Sequence, residues 1–108
     1  MSNEVKDVFS KNEKLQQSVL RNFFTEQGSL INIPARLKKR LIVLEYLVNQ
    51  LDAKKLYSEK ELNEFIRKFN DDFALIRREL YIHKFVNRIN EIYEVNNRED
   101  WQDWRTLK

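Results

Sequence analysis

The clearest hydrophobic pattern in the chain lies in Tyr57–Leu80, where a short polar interruption separates two stripes of apolar residues. The first stripe has the three- and four-residue spacing of one helix face and consists of Leu62, Phe65, Ile66 and Phe69. The second follows the turn-favouring residues 70–72 and consists of Phe73, Ile76 and Leu80. This pattern predicts two helices joined by a tight turn, which is typical of a helix-turn-helix.

The start of the first of these helices carries a strong capping signal. Ser58 is a good N-cap, because its hydroxyl can accept a hydrogen bond from the free N–H groups of the first turn. Glu61, three residues later, completes a capping box, and Tyr57 with Leu62 can form a hydrophobic staple. We therefore expect a helix to begin directly after Ser58.

Two further helices are predicted earlier in the chain, with a short strand between them. Lys11–Glu26 has apolar residues at helical spacing, and Gly28, the only glycine, is well placed to end this helix as a C-cap. Leu30–Ile33 alternates enough for a short strand that ends at Pro34. Ala35–Asp52 then has a strong helical pattern, formed by Leu37, Leu41, Leu44, Val48 and Leu51.

After Leu80 the hydrophobic period changes from that of a helix to that of strands. Phe85–Val86 and Ile92–Val95 are β-prone, and Asn87–Glu91 between them can form the turn of a hairpin. Together the elements predict an α+β fold, a mostly helical winged helix-turn-helix with an extra N-terminal helix and a short β-hairpin wing.

The pattern divides the chain into an N-terminal helical arm at residues 1–27, a winged-helix-like domain at residues 28–95 and a charged C-terminal tail at residues 96–108. Trp101 and Trp104 in the tail either cap the core or form part of an interface. The first helix either docks on its own domain or pairs with a second copy through its apolar face, Leu15, Val19 and Phe23. A homodimer is expected, because helix-turn-helix proteins often dimerise to bind paired half-sites.

Composition narrows the class of protein. The 108 residues suit one domain, and a hydrophobic content of 42% is enough to build a core. The absence of cysteine excludes disulfides and thiolate metal sites and fits a reducing cytoplasm. The longest apolar run, Leu41–Leu44, is far too short to span a membrane, and Met1–Ser10 lacks the apolar core of a signal peptide. We therefore expect a cytoplasmic protein with no membrane partner.

The sequence shows no arrangement of residues typical of catalysis. No Ser/His/Asp set, phosphate loop or metal cluster is visible, so we expect no enzymatic activity, no cofactor and no metal. His83 is the only histidine. With Glu79, four residues earlier, it would supply only two ligands, which is fewer than a metal site needs. We interpret His83 as a surface or helix-end residue.

The net charge of +3 is mild but unevenly distributed. Residues 31–60 contain seven Lys or Arg and three Asp or Glu, whereas residues 61–84 have no net charge. Basic residues on exposed helix faces can contact phosphates or guanine edges, so the candidate nucleic-acid-binding residues are Lys38, Lys39, Arg40, Arg78, Tyr81 and Lys84. The alternative for the run 38–40 is an ordinary solvated helix face. Arg77 is expected to pair with a carboxylate, whereas Arg78 is expected to be exposed.

Over roughly Gly28–Val95 the chain resembles the small prokaryotic family catalogued as domain of unknown function twenty eighty-seven. The matching pattern consists of Leu30–Pro34, Lys38–Arg40, Tyr57–Asn63, Asp72–Leu80, and Arg88 with Tyr93. The hairpin departs from the family in lacking glycines near Phe85 and Asn90. The resemblance implies a winged-helix-like fold and a link to transcription, without an established activity.

Two functions from different classes follow from these observations. The first is a nucleic-acid-binding winged helix protein that binds duplex DNA as a transcriptional regulator or accessory factor. The alternative is a protein–protein interaction module on a winged-helix scaffold without DNA binding. The mild charge and the acidic residues 71–72 favour this alternative.

Overall fold

A computed structural model describes the backbone of residues 3–107 and the side chains of residues 10–107. Its helices are α1 (Asn3–Phe23), α2 (Leu37–Val48), α3 (Glu59–Arg67) and α4 (Phe73–Ile82). Its strands are β1 (Leu56–Ser58), β2 (Val86–Ile89) and β3 (Ile92–Val95), and two 3₁₀ turns follow at Arg98–Asp100 and Trp104–Thr106. The prediction of an α+β fold is therefore confirmed for these residues. None of the helices described is both long and apolar enough to cross a membrane.

The three strands form one antiparallel sheet in the order β1-β3-β2. The predicted hairpin is present, with Val86 opposite Val95 and Ile89 opposite Ile92. The third strand, β1, pairs with β3 of the hairpin and lies directly before α3, where no strand was predicted. Tyr57 of β1 is opposite Tyr93. The sheet thus flanks the α3–α4 pair.

The predicted strand at Leu30–Ile33 is wrong, because this segment forms only an isolated bridge between Leu30 and Phe24. The Leu30 N–H donates to the Phe69 carbonyl at 2.8 Å, and the Ile31 N–H donates to the Phe23 carbonyl at 2.8 Å. The N–H groups of these two consecutive residues therefore donate to two different parts of the fold, the segment just after α3 and the end of α1. An extended segment used in this way ties two helices together and cannot continue a ladder.

Helix α2 lies at the centre of the core. The sequence predicted one apolar face, yet Ile42, Val43 and Leu47 are as fully buried as the predicted Leu41 and Leu44. The reason is that α2 is packed by α1, by α4 and by the second 3₁₀ turn. Burial of an apolar side chain contributes about 1.5–3 kcal/mol, so this helix provides much of the stabilisation.

Helix α1 ends at Phe23, three residues before the predicted end at Glu26. Gly28 is therefore not a helix C-cap, and its φ of +87° serves a turn in which its N–H donates to the Thr25 carbonyl at 2.9 Å. Val19 of α1 is 2% exposed, and Leu15 and Phe23 pack beside it on the core. The apolar face of α1 therefore docks on its own domain.

The α3–α4 pair agrees with the hydrophobic and capping patterns. The Glu61 N–H donates to Ser58 Oγ at 3.1 Å, and the Ser58 N–H donates to Glu61 Oε1 at 3.0 Å, which confirms the capping box. The backbone and hydroxyl hydrogen bonds of Ser58 hold the pKa of Glu61 below its usual value. The most deeply buried residues of the two helices are Leu62, Ile66, Ile76 and Leu80.

The C-terminal segment, residues 96–107, is joined to α2 by packing and by charge. Trp104 is 1% exposed and belongs to the core, so it caps the core. Arg105 makes a bidentate contact with the buried Glu45 of α2, at 2.9 and 3.0 Å. Trp101 is partly buried, with its ring centroid 5.4 Å from that of Phe85.

The first prediction compares the cap with the core. Ser58→Ala should lower the free energy of unfolding by about 1 kcal/mol, because one helix-end donor loses its acceptor. Ile76→Ala should cost roughly 2–5 kcal/mol, because it leaves a cavity in a fully buried stripe. Denaturant melts measure both values. A larger loss for Ser58→Ala than for Ile76→Ala would contradict the observed packing.

The second prediction concerns Glu45, which is 5% exposed and depends on Arg105 for its counter-charge. Arg105→Ala should destabilise the protein by roughly 2–3 kcal/mol, because it leaves Glu45 buried without a counter-charge. This cost is at or below the lower end of the range for breaking a buried ion pair, because Arg105 is itself 40% exposed. Arg98→Ala is the matched control, since Arg98 is exposed and donates to Asn49. It should cost at most about 1 kcal/mol in the same melts. Equal costs for the two variants would refute a special role for Glu45.

Candidate nucleic-acid interface

The outward face of α4 lies opposite its buried residues Ile76 and Leu80 and is exposed along its length. We define this α4 face as Ala74, Leu75, Arg78, Tyr81 and Ile82. Arg78 lies at its centre and has no ion-pair partner among the side chains of residues 10–107. The expectation that Arg78 is exposed is confirmed, and its guanidinium is available to a ligand.

The neighbouring Arg77 has the opposite role. Its Nη1 donates to Asn63 Oδ1, and its Nε lies 3.6 Å from Glu59 Oε1. Both partners belong to α3, so Arg77 ties the two helices together, as the sequence predicted. Adjacent residues on a helix point about 100° apart, which explains why one arginine faces α3 while the next faces outward.

Glu59 connects this pair of helices to the hairpin. Its Oε1 accepts a hydrogen bond from the Tyr93 hydroxyl at 3.1 Å, and its N–H donates to the Glu91 carbonyl at 3.1 Å. Burial and the hydrogen bond to Glu59 raise the pKa of Tyr93 above its usual value. One carboxylate thus contacts α4 and β3 at once and fixes the hairpin beside α4.

Between α4 and the hairpin lies a shallow pocket, lined by Ala74, Arg77, Arg78, Tyr81, Arg88 and Tyr93. Arg88 and Tyr93 are a directly opposed pair of β2 and β3, and the Arg88 guanidinium lies 5.9 Å from the Tyr93 ring centroid. The structure therefore brings Arg78 and Tyr81 together with Arg88, which was not among the sequence candidates. The signal that could have identified Arg88 is its cross-strand position opposite a tyrosine.

The basic run of α2 does not line this pocket. Arg40 donates to the carbonyls of Pro34 at 3.1 Å and Ala35 at 2.6 Å, and its Nη1 lies 3.6 Å from Glu79 Oε2. Lys38 donates to the Leu107 carbonyl at 3.3 Å. Arg40 and Lys38 therefore have internal partners, and Lys39 is partly buried.

Lys84 follows the end of α4 and is exposed, with φ of 69°. Asn90, at the tip of the hairpin, also has a positive φ of 58°. These are the places near which the family resemblance led us to expect glycines, the residues that adopt this conformation without strain. The hairpin is thus formed with Lys84 and Asn90 in left-handed conformations.

Four carboxylates limit how an anion can approach. Glu59 and Glu61 lie in the first turn of α3, and Asp71 and Asp72 immediately precede α4. Acidic residues at these positions stabilise the positive ends of helix dipoles, but they repel phosphates. An anionic ligand is therefore favoured at the middle and C-terminal half of α4.

His83 lies at the end of α4, as expected, but it is buried, with 8% exposure, so the interpretation as a surface residue is wrong. Its Nε2 is 2.9 Å from Glu79 Oε2 and its Nδ1 is 2.6 Å from Gln102 Oε1. The ring therefore joins α4 to the C-terminal segment. Within the part of the chain that the structure describes, no group of three or more His, Cys, Asp or Glu could hold a metal ion.

Comparison with known proteins gives one match. A family model described as uncharacterized protein conserved in bacteria (DUF2087) matches residues 29–95. No curated protein and no solved structure matches the chain. The matched residues include all of the pocket between α4 and the hairpin.

The third prediction follows from the raised pKa of Tyr93. An alkaline absorbance titration of the wild type should contain one component that is missing in Tyr93→Phe. This component should have a pKa above the usual tyrosine pKa of about 10. Because the pKa of Tyr93 is raised in the folded state, its protonated hydroxyl contributes to the free energy of unfolding. This contribution is fully present below about pH 10 and is lost as the pH rises through the folded pKa. Glu59→Ala should lower the pKa of Tyr93 in this titration, because it removes the acceptor of the Tyr93 hydroxyl.

Glu64→Ala is the control for this titration, since Glu64 is an exposed carboxylate on the same helix. It should leave the Tyr93 transition in place. A Tyr93 transition that is identical in the wild type and in Glu59→Ala would contradict the coupling between Glu59 and the hairpin.

Proposed function

The chain belongs to the DUF2087 family of uncharacterized bacterial proteins, and we propose that it is a winged helix protein that binds duplex DNA through α4 and the β2–β3 hairpin. In this proposal it acts as a transcriptional regulator or accessory factor. The observation that carries the proposal is the pocket in which Arg78 and Tyr81 of α4 meet Arg88 of the hairpin.

The order of the elements supports the winged-helix interpretation. Helix α2, strand β1, helices α3 and α4 and the β2–β3 hairpin follow one another, and β1 joins the outer side of β3. In a winged helix the second helix of a helix-turn-helix presents its outer face to DNA, and the adjacent hairpin reaches the backbone beside it. In this assignment α4 is the recognition helix and the hairpin is the wing.

The charge of the pocket supports an anionic ligand. Arg78 and Arg88 of its lining are exposed, whereas Arg77 is already paired with Glu59. Guanidinium groups present paired donors that suit both phosphates and the edge of guanine. We therefore retain Arg78, Tyr81 and Lys84 as DNA-binding residues and add Arg88, which is exposed although its Nε donates to the Asn90 carbonyl at 2.7 Å.

The structure changes the proposed role of the α2 run. Arg40 and Lys38 are engaged with carbonyl groups and Glu79, so a phosphate would have to compete with these internal contacts. Their function in the proposal is to hold the start of α2 against α4 and the C-terminal segment. Lys39, for which no side-chain partner is found among residues 10–107, serves as the matched charge control.

A second candidate is the protein–protein interaction module, and one observation favours it. The outer side of the sheet exposes three apolar residues, Leu56 at 61%, Ile89 at 61% and Ile92 at 42%. Contact of α4 with DNA does not explain why these apolar residues are exposed. A homodimer also stays a prediction, although the apolar face of α1 is covered by its own core. Location in the cytoplasm and the lack of enzymatic activity likewise stay predictions.

The fourth prediction tests DNA binding by its dependence on salt. Contacts of Lys84 and Arg88 with phosphates should give a slope of log K against log salt of about −2, at ~0.9 per phosphate, and a third contact by Arg78, if it binds a phosphate and not a base, should make it about −3. Arg88→Ala should reduce the slope by about one, because one counterion fewer is released. Fluorescence anisotropy with a labelled random duplex at several salt concentrations measures these slopes.

Lys39→Ala removes the same charge outside the pocket and should leave the slope unchanged. Equal effects of Lys39→Ala and Arg88→Ala would mean that binding depends on total charge and not on the pocket. A folded protein that shows no binding to duplex DNA at low salt would exclude the proposal and favour the interaction module.

A further inference from the structure

We propose that the α4 face reads two thymine methyl groups on either side of guanine in the major groove, so that the preferred target is duplex DNA with thymines three base-pair steps apart, as in T-G-G-T. This inference rests on the proposed function, because it names the class of DNA that the same site would bind.

The proposal starts from the unusual exposure of apolar side chains on α4. Leu75 is 41% exposed, Tyr81 45% and Ile82 49%, although α4 has a separate buried stripe that packs on the core. Arg78 follows Leu75 by three residues and precedes Ile82 by four, so the three lie on one face. The face thus places one cation between two apolar positions.

The spacing fits consecutive base pairs. Leu75 and Ile82 are seven residues apart, which is about 10 Å along a helix axis at 1.5 Å per residue. Base pairs are stacked every 3.4 Å, so the two apolar side chains are about three base-pair steps apart. Arg78 lies between them, opposite the two intervening base pairs.

The chemistry of the face selects the bases. In the major groove, thymine alone of the four standard bases presents a methyl group, and guanine presents the paired acceptors that suit an arginine. The face has no Asn, Gln, Ser or Thr that could read adenine or cytosine by hydrogen bonds. Apolar contact with thymine methyls is therefore the readout that Leu75 and Ile82 can supply.

The surrounding charge favours DNA over a protein for this apolar surface. Of the carboxylates beside α4, Glu59 lies against Arg77 and Glu79 against Arg40, whereas Asp71 and Asp72 at its start have no ion-pair partner among residues 10–107. Arg78, Lys84 and Arg88 are exposed. The surface is thus cationic at Arg78 and on the adjoining hairpin and apolar on either side of Arg78, which complements a methyl-lined groove bordered by phosphates.

The test changes the DNA and leaves the protein unaltered. One labelled duplex consists of repeated T-G-G-T units paired with their complement, and the second carries uracil in place of every thymine. Uracil pairs as thymine does but lacks the methyl group. Each buried methyl should strengthen binding about fourfold, the equivalent of ~0.8 kcal/mol, so two contacts should give on the order of tenfold between the duplexes.

Protein variants then assign the effect to the α4 face. Leu75→Ala and Ile82→Ala should each reduce the thymine-to-uracil ratio, because each removes one of the two methyl contacts. Ile89→Ala is the matched control, since Ile89 is equally apolar and 61% exposed but lies on the hairpin, and it should leave the ratio unchanged. Circular dichroism confirms that these variants, all at exposed positions, remain folded.

The outcomes separate the two proposals. Tighter binding of the thymine duplex, lost in Leu75→Ala but kept in Ile89→Ala, supports methyl readout. Binding of both duplexes with equal affinity overturns methyl readout while DNA binding stands, and the apolar face then serves another partner such as a protein. Binding of neither duplex overturns the proposed function itself.

Discussion

The burial of α2 is the constraint on which the rest of the structure depends. Except at Leu37 and Tyr46, which are exposed, its side chains are covered wholly or partly by α1, by α4 and by the C-terminal segment. A helix of 12 residues that loses water on all of these sides must be surrounded by separate elements, and each must supply an apolar face. This requirement places α1 and the C-terminal segment against the core, although the family match covers only residues 29–95.

Because α2 is enclosed, two of its charged side chains, Glu45 and Arg40, are paired within the protein. Glu45 binds Arg105, and Arg40 binds the Pro34 and Ala35 carbonyls and approaches Glu79. Buried charges without partners would cost several kcal/mol each, so these contacts are part of the packing. The basic run of the sequence is in this way largely used for structure.

The surface left for a ligand is then formed by α4 and the hairpin. Glu59 holds Arg77 and Tyr93 in place, and this arrangement leaves Arg78 and Arg88 beside one pocket. Arg77 and Tyr93 are already positioned by Glu59, so these two side chains lose little conformational freedom when a ligand binds. The same arrangement exposes apolar residues of α4, which gives the site a mixed apolar and cationic character.

The sequence by itself determined the features that depend on neighbouring residues. The capping box of Ser58 and Glu61, the α3 and α4 stripes and the β2–β3 hairpin are all local patterns, and all are present. The tertiary structure decided which extended segment entered the sheet and which cations stayed free. Leu30 binds Phe69, 39 residues away in sequence, and Lys38 binds Leu107. Hydrogen-bond and ion-pair partners at such separations leave no periodic signal in the sequence, so only packing reveals whether a strand or a charge is available.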